Sequence, residues 1–400
     1  MSGINLNAFF MFCRVRVIDQ MMNHQEQQVQ ISVEPDKRYR PICHRCKKPA
    51  AGIHSYYERL VRDLDMFDVK TMIRYRYRKI RCRTCGVVVE DLNLVEPRLR
   101  MTKRLVRYIL DLCKIMTIKA IAEHLDLDWK TIKEIHKEAL TQKYADKNIG
   151  YPALLAIDEI AVKKRHRYLT VIINWETGEV LYVGKGRRSE TVKDFFMSLT
   201  DEQRTTIKAV ALDMWDPYIK AVTDYCPNAA IVFDQFHVVS SFGRVIDRVR
   251  NDEYKQASRK DKEVMRGSKY ILLKNKDNLC DEEKPRLKAL LKLNEAITTA
   301  YILKDSLKKL WHYSYTTSCE KSLQRWCSIA RESGIPALIG FAKMLTRYSY
   351  GIINHCRYAI HTSRLEGINN KIKVIKRKAF GFHDEEYFSL IIKDAFATSN

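Results

Sequence analysis

The chain has 400 residues and carries 71 Lys and Arg against 48 Asp and Glu, a formal charge of +23. That length exceeds one ordinary core and predicts two to four domains, while the basic excess favours a polyanionic partner, nucleic acid first, over an acidic one. No stretch approaches the roughly 18 apolar residues of a membrane span, which argues against a membrane partner.

Residues 1–35 read as an N-terminal extension of open role. Their apolar run 9–13 is short, lacks a basic leader and is followed by Arg14 and Arg16, so it reads as structure and not as a signal peptide. With 11 Cys and no export signal, the chain is expected in a reducing, cytoplasmic compartment, where paired Cys are more often metal ligands than disulfides.

Residues 36–96 are expected to bind zinc. Cys43 and Cys46, then Cys82 and Cys85, form two Cys-x-x-Cys pairs, and four thiolates make a closed tetrahedral Zn²⁺ site that stabilises folding. The spacing between pairs is long for a ribbon. Either the insert forms its own strands, or His44 or His54 replaces a ligand. Within the insert, Val69, Thr71, Ile73, Tyr75 and Tyr77 alternate with Lys70, Met72, Arg74, Arg76 and Arg78, predicting a strand with one basic face suited to phosphates. Pro97 marks a boundary.

Residues 101–147 read as a helix-turn-helix. Residues 117–125 form a short helix, 126–128 a turn, and 129–137 a second helix capped by Asp128. Ile118, Ile121, Ala122, Leu125, Leu127, Ile132 and Ile135 fall where two crossed helices share a core. Lys130, Thr131, Lys133 and Lys137 then face outward, as a recognition helix in a major groove requires. An ordinary helical hairpin shares the pattern; the basic neighbours favour DNA.

After the 148–152 boundary the chain reads α/β to residue 400. The strands are 153–158, 168–175, 179–183, 207–213 and 229–234, the first three forming an antiparallel meander. A helix capped by Ser189 precedes the fourth strand, another starts at Asp216-Pro217, and another follows from Phe236. This is the ribonuclease H-like order, in which strands one and four lie side by side. Asp158 and Asp213 each end an apolar strand and would meet there, as paired carboxylates that hold divalent metal. Single acids at strand ends are, however, common and usually solvated. Asp234 repeats the strand-end acid, with His237 three residues on. The pair either supports the site or is a helix cap with a buried His. A helical insertion is expected over about 241–358, its Trp311 and Trp326 either core or DNA contacts. Glu366 follows, with Asn370 and Lys373 on its helical face. It either supplies a third carboxylate or completes a capping box with Ser363. Lys371, Lys373, Lys376, Arg377 and Lys378 suit a phosphate backbone.

Taken jointly, several segments resemble bacterial insertion-sequence transposases of the ISL-three family. They are the two Cys pairs, 118–137, 155–159, 167–171, 212–214 with Pro217-Tyr218, 227–229 running into 234–239, 366–373, and Gly381-Phe382. The likeness covers roughly residues 35–395. It implies a DDE catalytic domain of ribonuclease H-like fold with Asp158, Asp213 and Glu366 as catalytic ligands of Mg²⁺ or Mn²⁺. It implies double-stranded DNA as partner, both terminal inverted repeats and target, with a homodimer pairing two ends near the nucleoid. The activity implied is metal-dependent strand cleavage and strand transfer. A DNA-binding regulator with an inactive catalytic domain, or a metal-dependent nuclease, are the competing readings.

Overall fold

The computed structural model describes residues 12, 14–66, 68–95, 99–145, 147–163, 167–360, 363–378 and 384–397. Pro97, Gly381, Phe382 and all of the run 9–13 except Phe12 lie outside the described residues. The chain divides into two compact units, Met1–Gln142 and Lys143–Asn400.

In the first unit, β1 (Val15–Asn23), β2 (Gln28–Pro35), β3 (Gly52–Arg62), β4 (Lys70–Cys82) and β5 (Gly86–Val89) form one sheet in the order β1-β2-β4-β3, with β5 paired to the end of β4. The β1–β2 hairpin is therefore part of the sheet, and the expected boundary at residue 35 separates nothing. Central β4 changes what it buries along its length. In its first half the odd-numbered Ile73 and Tyr75 pack with Val15, Ile31, Val33 and Val61. In its second half the even-numbered Ile80 and Cys82 pack with Cys43 and Val88. The strand's period of two never slips; the covering layer moves to the other face. Lys70, Arg74 and Arg76 are exposed, as the alternation predicts. Arg78 is a correction to that basic face. It lies under the second layer, 6% exposed, with Nη2 donating to Glu90 Oε1 at 2.6 Å.

Three helices follow, α1 (Lys103–Cys113), α2 (Ile118–Leu125) and α3 (Trp129–Ala145). Thr102 and Thr117 cap α1 and α2 by accepting from backbone N–H groups of their first turns. Asp126 closes α2 in the left-handed region, φ 48°. Ile121, Leu125, Ile132 and Ile135 share a core with Leu105, Ile109 and Leu112 of α1. The two expected helices are in place, and α3 continues beyond Lys137 to Ala145.

The second unit begins with β6 (Leu154–Lys163), β7 (Arg167–Asn174), β8 (Val180–Lys185), α4 (Ser189–Ser198), α5 (Asp201–Thr206), β9 (Ala209–Leu212), α6 (Asp216–Tyr225) and β10 (Ala230–Phe233). The sheet order is β10-β9-β6-β7-β8, with β6-β7-β8 antiparallel and β9 and β10 added in parallel. The first and fourth strands are neighbours, as read from the sequence. Two details differ. Arg188, not Ser189, is the N-cap of α4. The short α5, with its Thr200–Gln203 capping box, went unread.

Alternation divides the strand residues between two cores. Leu155, Ile157, Val210, Leu212 and Phe233 face a large helical layer. It comprises α4, α6, α7 (Gln235–Gln256), α8 (Arg259–Met265), α9 (Lys269–Leu273), α10 (Glu283–Leu293), α11 (Glu295–Lys309), α12 (Thr316–Glu332), α13 (Pro336–Arg347) and α14 (Ser349–Ile353). Trp326 is core here, against Phe242 and Phe341, with Nε1 donating to Leu303 O at 2.8 Å. Ala156, Ile160, Val171, Ala211 and Val232 face the opposite core. It is closed by Leu365, Ile368 and Ile372 of α15 (Ser363–Lys378) and by Phe388 and Ile392 of α16 (Glu385–Ala395).

Candidate functional site

Strand register brings the acids together. Leu154 pairs with Ala209 and Ala156 with Ala211 across β6 and β9, while Leu212 pairs with Phe233 across β9 and β10. Carried on, this register sets Asp158 beside Asp213 and Asp213 beside Asp234. Asp213 and Asp234 stand directly after their strands. Asp158 does not end β6, which runs on to Lys163 because β7 continues to pair with it, Asp158 lying opposite Val171. What ends at Asp158 is the parallel partner, and that opens one side of the residue to a ligand.

Asp158 shares its face with Ala156 and Ile160, the face covered by α15. Asn369 of α15 donates from Nδ2 to Asp158 Oδ2 at 2.6 Å, and the Glu159 N–H donates to Oδ1 at 2.7 Å. Burial pushes the Asp158 carboxyl above its ordinary range, and nearby Asp234 adds to the rise. The Glu159 N–H, His237 and Asn369 work against it. Glu159 is also raised, first by burial, with Asp158 and Asp213 adding and Tyr218 and Arg187 opposing. His237 lies between two acids, Nδ1 3.5 Å from Asp213 Oδ2 and Nε2 3.8 Å from Asp234 Oδ2. Asp234 is buried and also accepts from the Phe236 N–H at 3.1 Å, so it caps α7 while facing His237.

Glu366 is exposed in the first turn of α15. It lines a groove of about 1080 Å³ together with Asp234, Phe236, Arg244, Lys308 and Trp311. The oxygens of Asp158, Asp213 and Glu366 do not all come within 4.8 Å of one another, unlike the sulfurs of the four paired cysteines. The donor set nevertheless fits a divalent cation. In a chain with 71 basic residues, neither Asp158 nor Glu366 has a Lys or Arg ion-pair partner among the described residues. The buried Oδ1 of Asn369, beside Asp158, has no hydrogen-bond partner.

Sequence reasoning singled out Asn370, which is exposed and accepts from Lys373 Nζ at 3.4 Å. It missed Asn369, and it set Glu159 aside as a neighbour that could be mistaken for Asp158. Asn369 had a signal: with Leu365, Ile368 and Ile372 it completes the i, i+3, i+4, i+7 stripe of a buried helix face.

In the first unit, Cys43, Cys46, Cys82 and Cys85 gather with all sulfurs within 4.8 Å. The intervening β3 and β4 form strands of their own, and neither His44 nor His54 replaces a ligand. His44 Nδ1 lies 3.0 Å from Val89 O, and His54 Nδ1 3.0 Å from Ser55 Oγ. Lys47 and Gly86 take positive φ, 60° and 76°, where the two knuckles turn. Four converging thiols of this kind fit structural zinc. On α3, Lys130 is exposed, with its Nζ 5.9 Å from the centre of the exposed Trp129 ring. Thr131, Lys133 and Lys137 are half-buried. Among the described residues no helix is long and apolar enough to cross a membrane.

Comparison with known proteins assigns these pieces. A zinc-finger model of insertion-sequence transposases matches residues 40–85, a helix-turn-helix model of transposase family ISL3 matches 90–139, and an ISL3 transposase model matches 155–392. The transposase for insertion sequence element IS1001 of Bordetella parapertussis is 38% identical over 359 residues, covering 89% of this chain and 88% of that protein. The transposase for insertion sequence element IS1557 of Mycobacterium tuberculosis is 25% identical over 374 residues, covering 86% and 83%. With its zinc-binding, helix-turn-helix and DDE domains, the chain belongs to the ISL3 family of insertion-sequence transposases.

Proposed function

We propose that this transposase recognises the terminal inverted repeats of its element through the zinc-binding region and the helix-turn-helix. It then cuts at the element ends and joins them to target DNA, with Asp158, Asp213 and Glu366 as the catalytic carboxylates. The parts are the zinc-binding region to residue 96, the helix-turn-helix over 101–147 and the catalytic domain from 151. The sheet order β10-β9-β6-β7-β8 supports a ribonuclease H-like catalytic fold with an insertion between β10 and α15. Pairing two DNA ends calls for two copies of the chain, so the active form on DNA is a homodimer, acting on the nucleoid in the cytoplasm.

The observation that carries the site is the link from Asp158 through Asn369 to the helix bearing Glu366. It joins the strand carrying Asp158 to the helix carrying Glu366, and the β6–β9 register sets Asp213 beside Asp158. When bound, Mg²⁺ or Mn²⁺ would lower the pKa of an attacking water or 3′-hydroxyl and stabilise the leaving oxygen. The chain's own residues hold the carboxylates, through Asn369 on Asp158 and His237 on Asp213. Arg244 and Lys308 on the groove wall attract the phosphate backbone.

The test is Mg²⁺-dependent cleavage and joining of a duplex carrying the flanking terminal repeat, comparing wild type with Asp158→Asn, Asp213→Asn and Glu366→Gln. Loss of both steps in all three variants, with DNA binding kept, is the expected result. Wild-type strand transfer by Asp158→Asn overturns the mechanism.

A further inference from the structure

Beside the same groove, whose lining includes His355 and Cys356, three soft donors converge that neither the zinc knuckles nor the carboxylates use. Cys319 lies in the first turn of α12, and His355 and Cys356 lie in the 3₁₀ turn after α14. Their Sγ, ring nitrogen and Sγ atoms all lie within 4.8 Å of one another. Cys319 is fully buried and His355 is 8% exposed.

We propose that Cys319, His355 and Cys356 bind a second zinc ion, separate from the four-cysteine site. Three observations carry this. First, His355 Nε2 lies 3.6 Å from Cys356 Sγ. Zinc bonds of about 2.0 Å to nitrogen and about 2.3 Å to sulfur, held at a tetrahedral angle, set two such ligands about 3.6 Å apart. Second, both ring nitrogens of His355 face carbonyl oxygens, Nδ1 that of Ile352 and Nε2 that of Tyr313 at 3.2 Å. A neutral imidazole has one N–H, so it satisfies one of these. With Nδ1–H donating to Ile352 O, Nε2 keeps its lone pair for a metal, 3.6 Å from Cys356 Sγ. This is how a carbonyl beyond the ligand shell orients a metal-binding histidine. The Trp311 ring stacks on that imidazole at 5.9 Å and holds its plane. Third, Tyr313 O lies 3.2 Å from both Nε2 and Cys356 Sγ, in place as a fourth, oxygen ligand.

The ion would fasten the start of α12 to the turn that precedes α15, ten residues before Glu366. A zinc there ties the helical insertion to the helix carrying the third acid without entering the carboxylate site. Binding releases the two thiol protons as the sulfurs become thiolates, and no redox change is involved.

Full-length protein, purified without chelator and dialysed against Mg²⁺, tests this by zinc content per chain. Wild type is expected to hold two equivalents, and Cys356→Ser and Cys319→Ser one each, with an unchanged far-ultraviolet circular dichroism spectrum. Cys82→Ser should lose the other equivalent and keep this one. Cobalt substitution supplies a second readout that does not depend on a variant's folding. Tetrahedral Co²⁺ bound by two thiolates should add a visible band at the second equivalent in wild type. One zinc in wild type, with no band from a second cobalt, overturns the proposal. So does a second equivalent that survives both Cys319→Ser and Cys356→Ser.

Discussion

Asp158 is held where its charge is costly. Burial raises its carboxyl above the ordinary value of 3.8. A carboxyl raised in the fold binds its proton more tightly there than in the unfolded chain. Its ionisation therefore costs nothing at a pH well below 3.8, destabilises progressively as pH rises from there through the raised value, and has its full effect at neutral pH. A cation bound beside it would remove that penalty, which links metal binding to stability at this one residue. Asp158→Asn is thus expected to stabilise the Mg²⁺-free chain at pH 7, by on the order of 1 kcal/mol, the size of a common single-site effect. The same variant should gain nothing from added Mg²⁺ at this position, where the wild type does. Thermal melts of zinc-replete protein at pH 7, with and without Mg²⁺, check both statements. A lower melting temperature for the variant without Mg²⁺ would show that Asp158 is held by favourable contacts instead.

Strand β4 shows how far an element can be read from sequence. Its alternation is legible, and the exposure of Arg74 and Arg76 follows from it. The burial of Arg78 does not follow, because nothing in the strand changes there. The zinc knuckles, brought over by residues 43–46 and 82–85, cover the face that was open a turn earlier. The same limit explains α15. Its helical period is plain, but whether Asn369 or Asn370 meets the site depends on which face lies on β6, and that is settled by packing. By contrast, the placing of Asp158 beside Asp213 was legible because each follows an apolar run and the strand order makes those runs neighbours. The two arginines of β4 therefore separate two roles. Arg76→Ala, whose guanidinium lies 4.6 Å from the Tyr56 ring on the exposed face, should weaken binding across DNA sequences and lower the salt slope by about one, leaving stability unchanged. Arg78→Ala leaves Glu90 buried and unpaired, and should cost about 3–5 kcal/mol of stability. Denaturant melts and binding titrations on both variants check the division. Equal stability for the two would mean that the Glu90 pair contributes little.

For the whole molecule, the balance between charge and base reading decides how the protein finds its ends. A formal charge of +23 gives strong attraction to any duplex, and that attraction carries no sequence information. Discrimination has to come from base edges or from DNA shape, and we propose that α3, with exposed Trp129 and Lys130 at its start, supplies the base contacts. The two contributions respond differently to salt. Phosphate contacts release counterions, so affinity falls with a log–log slope of about −0.9 per phosphate neutralised, whereas hydrogen bonds to bases release none. Raising salt from about 50 to about 200 mM should therefore lower affinity for a terminal-repeat duplex and for a scrambled duplex alike, by about 10³-fold if six phosphates are neutralised. The ratio of the two affinities should change far less. Lys130→Ala should narrow that ratio if Lys130 reads a base, and lower both affinities equally if it binds a phosphate. Equal affinity for repeat and scrambled duplexes at every salt concentration would remove α3 as the reader of the element ends and leave recognition to a partner.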